Sequence, residues 1–391
     1  MTYIIEKIDN QGRGITFIND KIAFIKGALP GDEIEVNVTV EKKKYIIGKI
    51  KKIVKPSDMR IKSPCAFSSK CGGCQFLETT YEDSFSLKMD SYKKNLMKNG
   101  FEMPIKFHKN DSPFNYRNKI SLKIVDYKIG FYEEVSNKVV EINECKIAGN
   151  AINVFFSEIK DLNIKNGFVN VRTNYKNDIL VSINTKDYVD ASDLNAAGVI
   201  VNNELVKGEK FFLDKINDLI FEISYDSFFQ VNPYVTGKLF DVINDNINDT
   251  DTVLDLYCGV GTLGLNASKK ASKVFGIEVV KNAVINANNN ALINHIENAS
   301  FKVGDLSKNI KVKDDFNTLI VDPPRSGLDT VVMDFIKESL PNKIIYVSCD
   351  MHTLIRDLKI LKESYNISSI DAFDMFSFSY HIESVCVLSR K

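Results

Sequence analysis

The groups able to do chemistry lie in short motifs spread along the second half of the chain. Tyr346-Val347-Ser348-Cys349-Asp350 puts a thiol just past an apolar run. In an open α/β sheet that position lies at the ligand cleft, although an isolated cysteine is more often a packed small hydrophobe. Ser379-Tyr380-His381-Ile382-Glu383 puts a carboxylate at the start of a final apolar run. It reads as a surface residue or as a base turned into the cleft. Asp322-Pro323-Pro324-Arg325 follows a third run. Its two prolines fix the backbone and hold the acid rigidly at the ligand edge.

The segment VLDLYCGVGTLGL (253–265) reads as strand, glycine turn and helix. Gly259 and Gly261 allow the close backbone approach that an adenosine ligand requires. Asp255 at the strand end suits a cationic ligand better than a pyrophosphate, and S-adenosylmethionine carries both a sulfonium and an amino group. Gly276-Ile277-Glu278 closes the next strand with an acid placed to accept ribose hydroxyls. Gly304-Asp305 closes the third, placed to meet adenine. The set points to S-adenosylmethionine ahead of a nicotinamide dinucleotide. Asp-Pro-Pro turns also serve amino-group methyl transfer, a chemistry that needs no thiol.

Seven cysteines do not make a disulfide framework, and a cytoplasm keeps thiols reduced. Cys65, Cys71 and Cys74 fall within ten residues, and Cys145 stands apart. Three clustered thiols plus a distant fourth suit zinc or a 4Fe–4S cube, and spacing leaves both open. Cys258 and Cys386 read as packed thiols.

These motifs need elements to position them. The 391 residues carry 51 Lys+Arg and 51 Asp+Glu, with 44% hydrophobic residues, an ordinary soluble composition that excludes a disordered or fibrous chain. No apolar run approaches a membrane span, and no secretory signal is visible at the start, so a cytoplasmic protein is expected. The charge is uneven. Residues 1–130 hold 24 basic and 15 acidic side chains, residues 131–391 hold 27 and 36. Such asymmetry suggests a module facing a polyanion. Residues 1–57 read as short strands of a small β-barrel of the OB type, with Lys55-Pro56-Ser57-Asp58 as a linker. Nine basic and two acidic residues between Glu41 and Lys62 suit RNA. Residues 58–225 read as a central α+β domain holding the cysteine loop. Its helix 81–99 ends at Gly100 and could pack on the catalytic domain. Residues 226–391 alternate strand and helix, the pattern of a doubly wound, mostly parallel Rossmann-like sheet. Nothing in the sequence calls for an obligate protein partner.

In this order, SFFQVNP (227–233), DLYCGVGT (255–262), DPPRSGL (322–328), YVSCD (346–350) and HIESV (381–385) resemble the RNA uracil-carbon-5 methyltransferases. The cysteine set resembles that family's 4Fe–4S ligands, and residues 1–57 its TRAM domain. The resemblance implies a class I methyltransferase fold. Cys349 would be the nucleophile, Glu383 the base, and Gln230, Tyr257, Thr262, Glu278, Asp305 and Asp322 the residues about S-adenosylmethionine or the uracil edge. Phe228 or Phe229 would stack on a flipped base, and Arg117 and Arg325 would meet RNA. The substrate would be structured RNA, ribosomal RNA first and the T-loop uridine of transfer RNA as the alternative. A non-catalytic RNA-binding iron–sulfur protein is the remaining reading. Met351 and Ser377 replace prolines usual beside the thiol and the carboxylate, which implies looser backbone there.

Overall fold

The structure, a computed structural model, describes residues 1–391 except 134, 135, 137, 309, 311, 313 and 314. The chain divides into two compact units.

The first unit comprises Met1–Glu102, Gly130–Lys146 and Phe376–His381. It begins with six strands in the order Thr2–Ile4, Glu33–Glu41, Tyr45–Lys55, Lys21–Lys26, Gly14–Ile18, Lys7–Ile8. Ile5, Ile18, Ala23, Ile25, Ala28, Ile34 and Ile46 form their core. The alternation in Glu33–Glu41 outruns that core, since Val38 and Val40 are exposed. The segment read as a linker is pinned. Ser57 N–H donates to Asp32 Oδ1 at 2.9 Å and Ser57 Oγ donates to the Pro30 carbonyl at 2.6 Å. Arg60 then clamps both oxygens of Asp32, at 2.8 and 2.6 Å. The helix Tyr81–Lys98 starts where Thr80 accepts the Asp83 N–H and stops before Gly100, whose φ of 84° is open to glycine at no steric cost. The cysteine loop is held at its far end by backbone bonds. Gln75 and Phe76 N–H both donate to the Phe378 carbonyl, at 2.9 and 3.0 Å. Lys88, buried in the helix, donates to the Phe376 carbonyl at 3.0 Å.

The second unit comprises Met103–Ile129, Ile147–Met375 and Ile382–Lys391. One of its sheets runs Lys119–Val125, Asn166–Thr173, Ile179–Thr185, Gly198–Val201, Glu204–Gly208. A hairpin, Phe211–Ile216 with Leu219–Ser224, lies on the helix Lys281–Ile293. That helix is rich in asparagine, a poor helix former, because its amides complete the hairpin's edge. Asn290 and Asn294 accept the N–H groups of Glu222 and Ile220, and Asn286 accepts the Ser224 hydroxyl.

The catalytic sheet has eight strands, ordered Ala299–Val303, Lys273–Glu278, Thr252–Leu256, Thr318–Val321, Lys343–Ser348, Glu383–Arg390, Tyr365–Phe373, Ile105–His108. All neighbours pair in parallel except Glu383–Arg390, which is antiparallel to both of its own. This is the expected mostly parallel Rossmann-like sheet, extended by two strands that sequence reading did not find. Tyr365–Phe373 carries Asn366, Ser368 and Ser369 with no clear alternation, and Ile105–His108 comes from far upstream. Among the described residues no helix is long and apolar enough to cross a membrane.

Candidate active site

The reversed strand creates the site. Its antiparallel register sets Ser348 opposite Ser384. One residue further out on each side, Cys349 and Glu383 therefore leave the sheet edge as neighbours. Glu383 is 5% exposed and Cys349 half-buried. Asp322 follows the adjacent strand, its N–H directed at the Leu256 carbonyl at 3.5 Å. Burial pushes the Cys349 thiol up to about 12, with Glu383 and Asp322 adding to the rise and Arg325 opposing it. Burial likewise raises both carboxyls, and Asp322 raises Glu383 further while Arg325 again opposes. The site thus favours neutral, proton-holding forms, and the exposed Arg325 is the cation that draws them toward charge.

The backbone around these groups is tightly tied. Asp350 caps the helix Met351–Leu361 by accepting the N–H groups of His352 and Thr353, at 2.9 and 3.0 Å. Met351 is the first residue of that helix, where a proline would also fit. The cap fixes the turn, so the looseness expected from Met351 is absent. Asp357, from the same helix, accepts from the Leu328 N–H and the Tyr346 hydroxyl at 2.9 and 2.7 Å. Arg356 donates to the carbonyls of Ser326 and Leu328. Together they anchor the loop 322–328. Sequence reading passed over both; the pair's only signal was an Arg-Asp couple in a chain with seven arginines.

At the same C-terminal ends of the neighbouring parallel strands, Gly261 has φ 83° and leads into the short helix that Thr262 begins. Tyr257 has φ 65°, an unusual left-handed conformation for a bulky residue, held by its N–H bond to the Ile277 carbonyl. Glu278 accepts the Gly259 N–H at 3.2 Å and the Val280 N–H at 2.8 Å, so it sits across the glycine turn. Asp255 is 0% exposed, and neither carboxylate oxygen has a hydrogen-bond partner among the described residues. Burial raises it well above the usual range, followed by Asp322 and Glu278, against the nearby Gly264 N–H. A buried, unpartnered acid at a strand end fits a cationic ligand such as S-adenosylmethionine.

Three expectations divide here. Phe228 is 69% exposed, whereas Phe229 is 2% exposed and packs on Phe221 at 5.5 Å between ring centres. Only Phe228 is free to stack on a base. Asp305 already accepts from the Ser307 N–H and hydroxyl and pairs with Lys308, which hold it down at about 2. Gln230 is buried, with its carbonyl accepting from Asn118 at 3.1 Å. In the first unit, Cys65, Cys71, Cys74 and Cys145 are half-buried and outside any disulfide. Burial raises Cys71, with Cys145 and Cys65 contributing and the Gly73 N–H opposing. Among the described residues, no group of three or more His, Cys, Asp or Glu side chains is gathered as a metal site. The four thiols are of the donor kind a cluster takes, and Cys145 and Cys65 both lie near enough to Cys71 to raise it.

Residues 195–391 match the family model described as tRNA (Uracil-5-)-methyltransferase, and residues 2–51 match the TRAM domain. The chain belongs to the RNA (uracil-5-)-methyltransferase family. It is similar to uncharacterized RNA methyltransferases from Caldanaerobacter subterraneus, at 33% identity over 99% of this chain and 97% of the relative, and from Clostridium tetani, at 31% over 98% and 95%. Among solved structures it is similar to the Pyrococcus abyssi tRNA (uracil-54, C5)-methyltransferase in complex with S-adenosyl-L-homocysteine. That match has 27% identity and a TM-score of 0.79, covering 99% of this chain and 100% of that one. The protein is therefore an S-adenosylmethionine-dependent RNA (uracil-5-)-methyltransferase with an N-terminal TRAM domain.

Proposed function

We propose that Cys349 is the nucleophile and Glu383 the base of uridine methylation in structured RNA, with ribosomal RNA as the substrate. The observation that carries this reading is the antiparallel register that brings the two side chains out together. Carbon 5 of uracil is a poor nucleophile until a thiolate adds to carbon 6. S-adenosylmethionine, when bound, supplies the electrophilic methyl group. Cys349 gives up its proton and forms the bond to carbon 6, the C5=C6 electrons passing into the ring carbonyl; once carbon 5 carries the methyl group, Glu383 takes the carbon-5 proton, the double bond re-forms and the sulfur leaves. Burial raises the proton affinity of Glu383, and Arg325, which opposes that rise, favours the ionised form that can accept a proton. Asp322 hydrogen-bonds the uracil edge or the cofactor. Phe228 stacks on the flipped base. Tyr257, Thr262, Glu278 and Gln230 line the cofactor, with Asp255 behind them. Asp305, occupied by its own loop, would reach adenine only from the rim.

The four cysteines are proposed to hold a 4Fe–4S cluster, with zinc as the alternative. No catalytic step passes through it. Its place is structural, because the residues after Cys74 bind the carbonyl of Phe378, five residues before Glu383. Ribosomal RNA is favoured by the TRAM module joined to this cysteine set. The likeness to a tRNA (uracil-54, C5)-methyltransferase supports the second reading, a T-loop uridine.

Cys349→Ala should abolish methyl transfer while S-adenosylhomocysteine still binds, and retained turnover would end the covalent mechanism. Glu383→Gln should trap a protein–RNA adduct that survives denaturation. Mapping methyluridines in ribosomal and transfer RNA from cells lacking the gene decides the substrate.

A further inference from the structure

Three cations stand together on one sheet face of the second unit, none of them in an ion pair among the described residues. Arg117 and Lys119 are two residues apart, so they share a face, and the register sets Lys119 directly opposite Arg172. Like charges in directly opposed positions destabilise a strand pair. Arg172 is 4% exposed and its Nη1 has no hydrogen-bond partner among the described residues. Its Nη2 donates to the Ser227 carbonyl at 3.1 Å. Arg117 spends its Nε on the Lys119 carbonyl at 3.0 Å. No ion pair to any of the three is present among the described residues. The nearest acids are Asp214, which counters the effect of burial on Arg172, and Asp226, which counters it on Lys119, each with hydrogen bonds of its own. Asp214 accepts the N–H groups of Tyr175 and Lys215, and the exposed Asp226 accepts from Asn282. The strain shows in Lys119, brought down to about 8 by burial, then by Arg172 and Arg117.

The place of this cluster matters. Arg172 touches Ser227, the residue before the exposed Phe228, and the neighbouring Asn118 holds the carbonyl of Gln230. Further along the same face, Ser121 donates to Asn170 at 2.5 Å and Lys123 lies 5.0 Å over the Phe168 ring. Within the strands Lys119–Val125 and Asn166–Thr173, this face carries no acidic side chain.

We propose that Arg117, Lys119 and Arg172 form a phosphate-binding site for the RNA backbone beside the flipped nucleotide, and that the strands Lys119–Val125 and Asn166–Thr173 carry the chain away from it. A phosphodiester offers the anionic oxygens that these three cations lack as ion-pair partners, and it comes with the base that Phe228 stacks on. The site thereby fixes the distance between backbone and target base, while the sheet face supplies sequence-independent grip. This inference rests on the proposed RNA activity.

The test is binding of a short single-stranded oligouridylate to the full-length protein across a potassium chloride series, with S-adenosylhomocysteine affinity measured in parallel. For Arg117→Gln and Lys119→Gln alike, the slope of log affinity against log salt should become shallower by about 0.7, the value for one phosphate contact on a single strand. Arg172→Lys keeps the charge and should keep the slope. S-adenosylhomocysteine affinity should not change, which also shows that the variants fold. Unchanged slopes in both glutamine variants overturn the site while leaving the proposed function standing. A loss of S-adenosylhomocysteine affinity instead would reassign the cations to the cofactor carboxylate and overturn it too. An unaltered protein that binds neither the oligouridylate nor folded ribosomal or transfer RNA would overturn this inference and the proposed function together.

Discussion

The thiol of Cys349 should be slow in the free protein, and its slowness can be worked out. Its titration lies at about 12 against an ordinary value of 9.0. At a given pH below both, that change lowers the thiolate fraction about 10³-fold. A more basic thiolate is also a better nucleophile, with a Brønsted slope of about 0.4–0.5, which returns roughly 20-fold. Exchange with a small neutral disulfide should therefore be about 50-fold slower than for an unhindered cysteine peptide at mildly alkaline pH. The assay is the rate of mixed-disulfide formation on the Cys349 peptide, followed by mass spectrometry across pH. The rate should climb with pH and show no plateau near the ordinary value. Asp322→Asn and Glu383→Gln should each speed the reaction by removing a negative neighbour, and Arg325→Gln should slow it. Reaction at the peptide's rate, or a plateau near the ordinary thiol value, would refute the claim that burial and the two acids keep Cys349 protonated until RNA arrives.

Three further outcomes are expected. Asp255→Asn should weaken S-adenosylmethionine binding in calorimetry, yet raise the stability of the ligand-free protein at neutral pH. The folded-state pKa of Asp255 is raised, so its favourable contribution is full in acid and fades as pH rises; the neutral amide keeps it. Gly276→Ala should cost about 1–3 kcal/mol in denaturant unfolding, because a Cβ there would lie 2.2 Å from Phe301 Cδ1, inside the sheet. Asp357→Ala should cost about 2–4 kcal/mol by leaving the Leu328 N–H and Tyr346 hydroxyl unpaired, and it should lower turnover more than cofactor affinity, because loop 322–328 loses its anchor.

Much of the architecture was legible because its signals are local. Glycine turns, Pro-Pro and alternating apolar runs each act within a few residues, so six of the eight strands of the catalytic sheet are legible in the sequence. The strands that escaped depend on distant partners. Ile105–His108 is a strand only because Tyr365–Phe373 lies beside it, and the two are over 250 residues apart in sequence. The asparagine-rich helix Lys281–Ile293 shows the same limit from the other side, since its amides make sense only against the hairpin they complete.

The sequence by itself determined the chemistry on offer: a thiol, a carboxylate at the start of a final apolar run, an acid before Pro-Pro and a glycine turn for an adenosine ligand. Composition and short motifs carry that information because reactivity belongs to residue types. Only the tertiary structure decided which groups meet and in what state. Antiparallel pairing set Cys349 beside Glu383, packing hid Phe229 and freed Phe228, and strand register stacked Lys119 against Arg172. The physical reason is that desolvation and like-charge proximity depend on neighbours brought in from far along the chain, and those neighbours are what push the thiol and both carboxyls upward from their ordinary values.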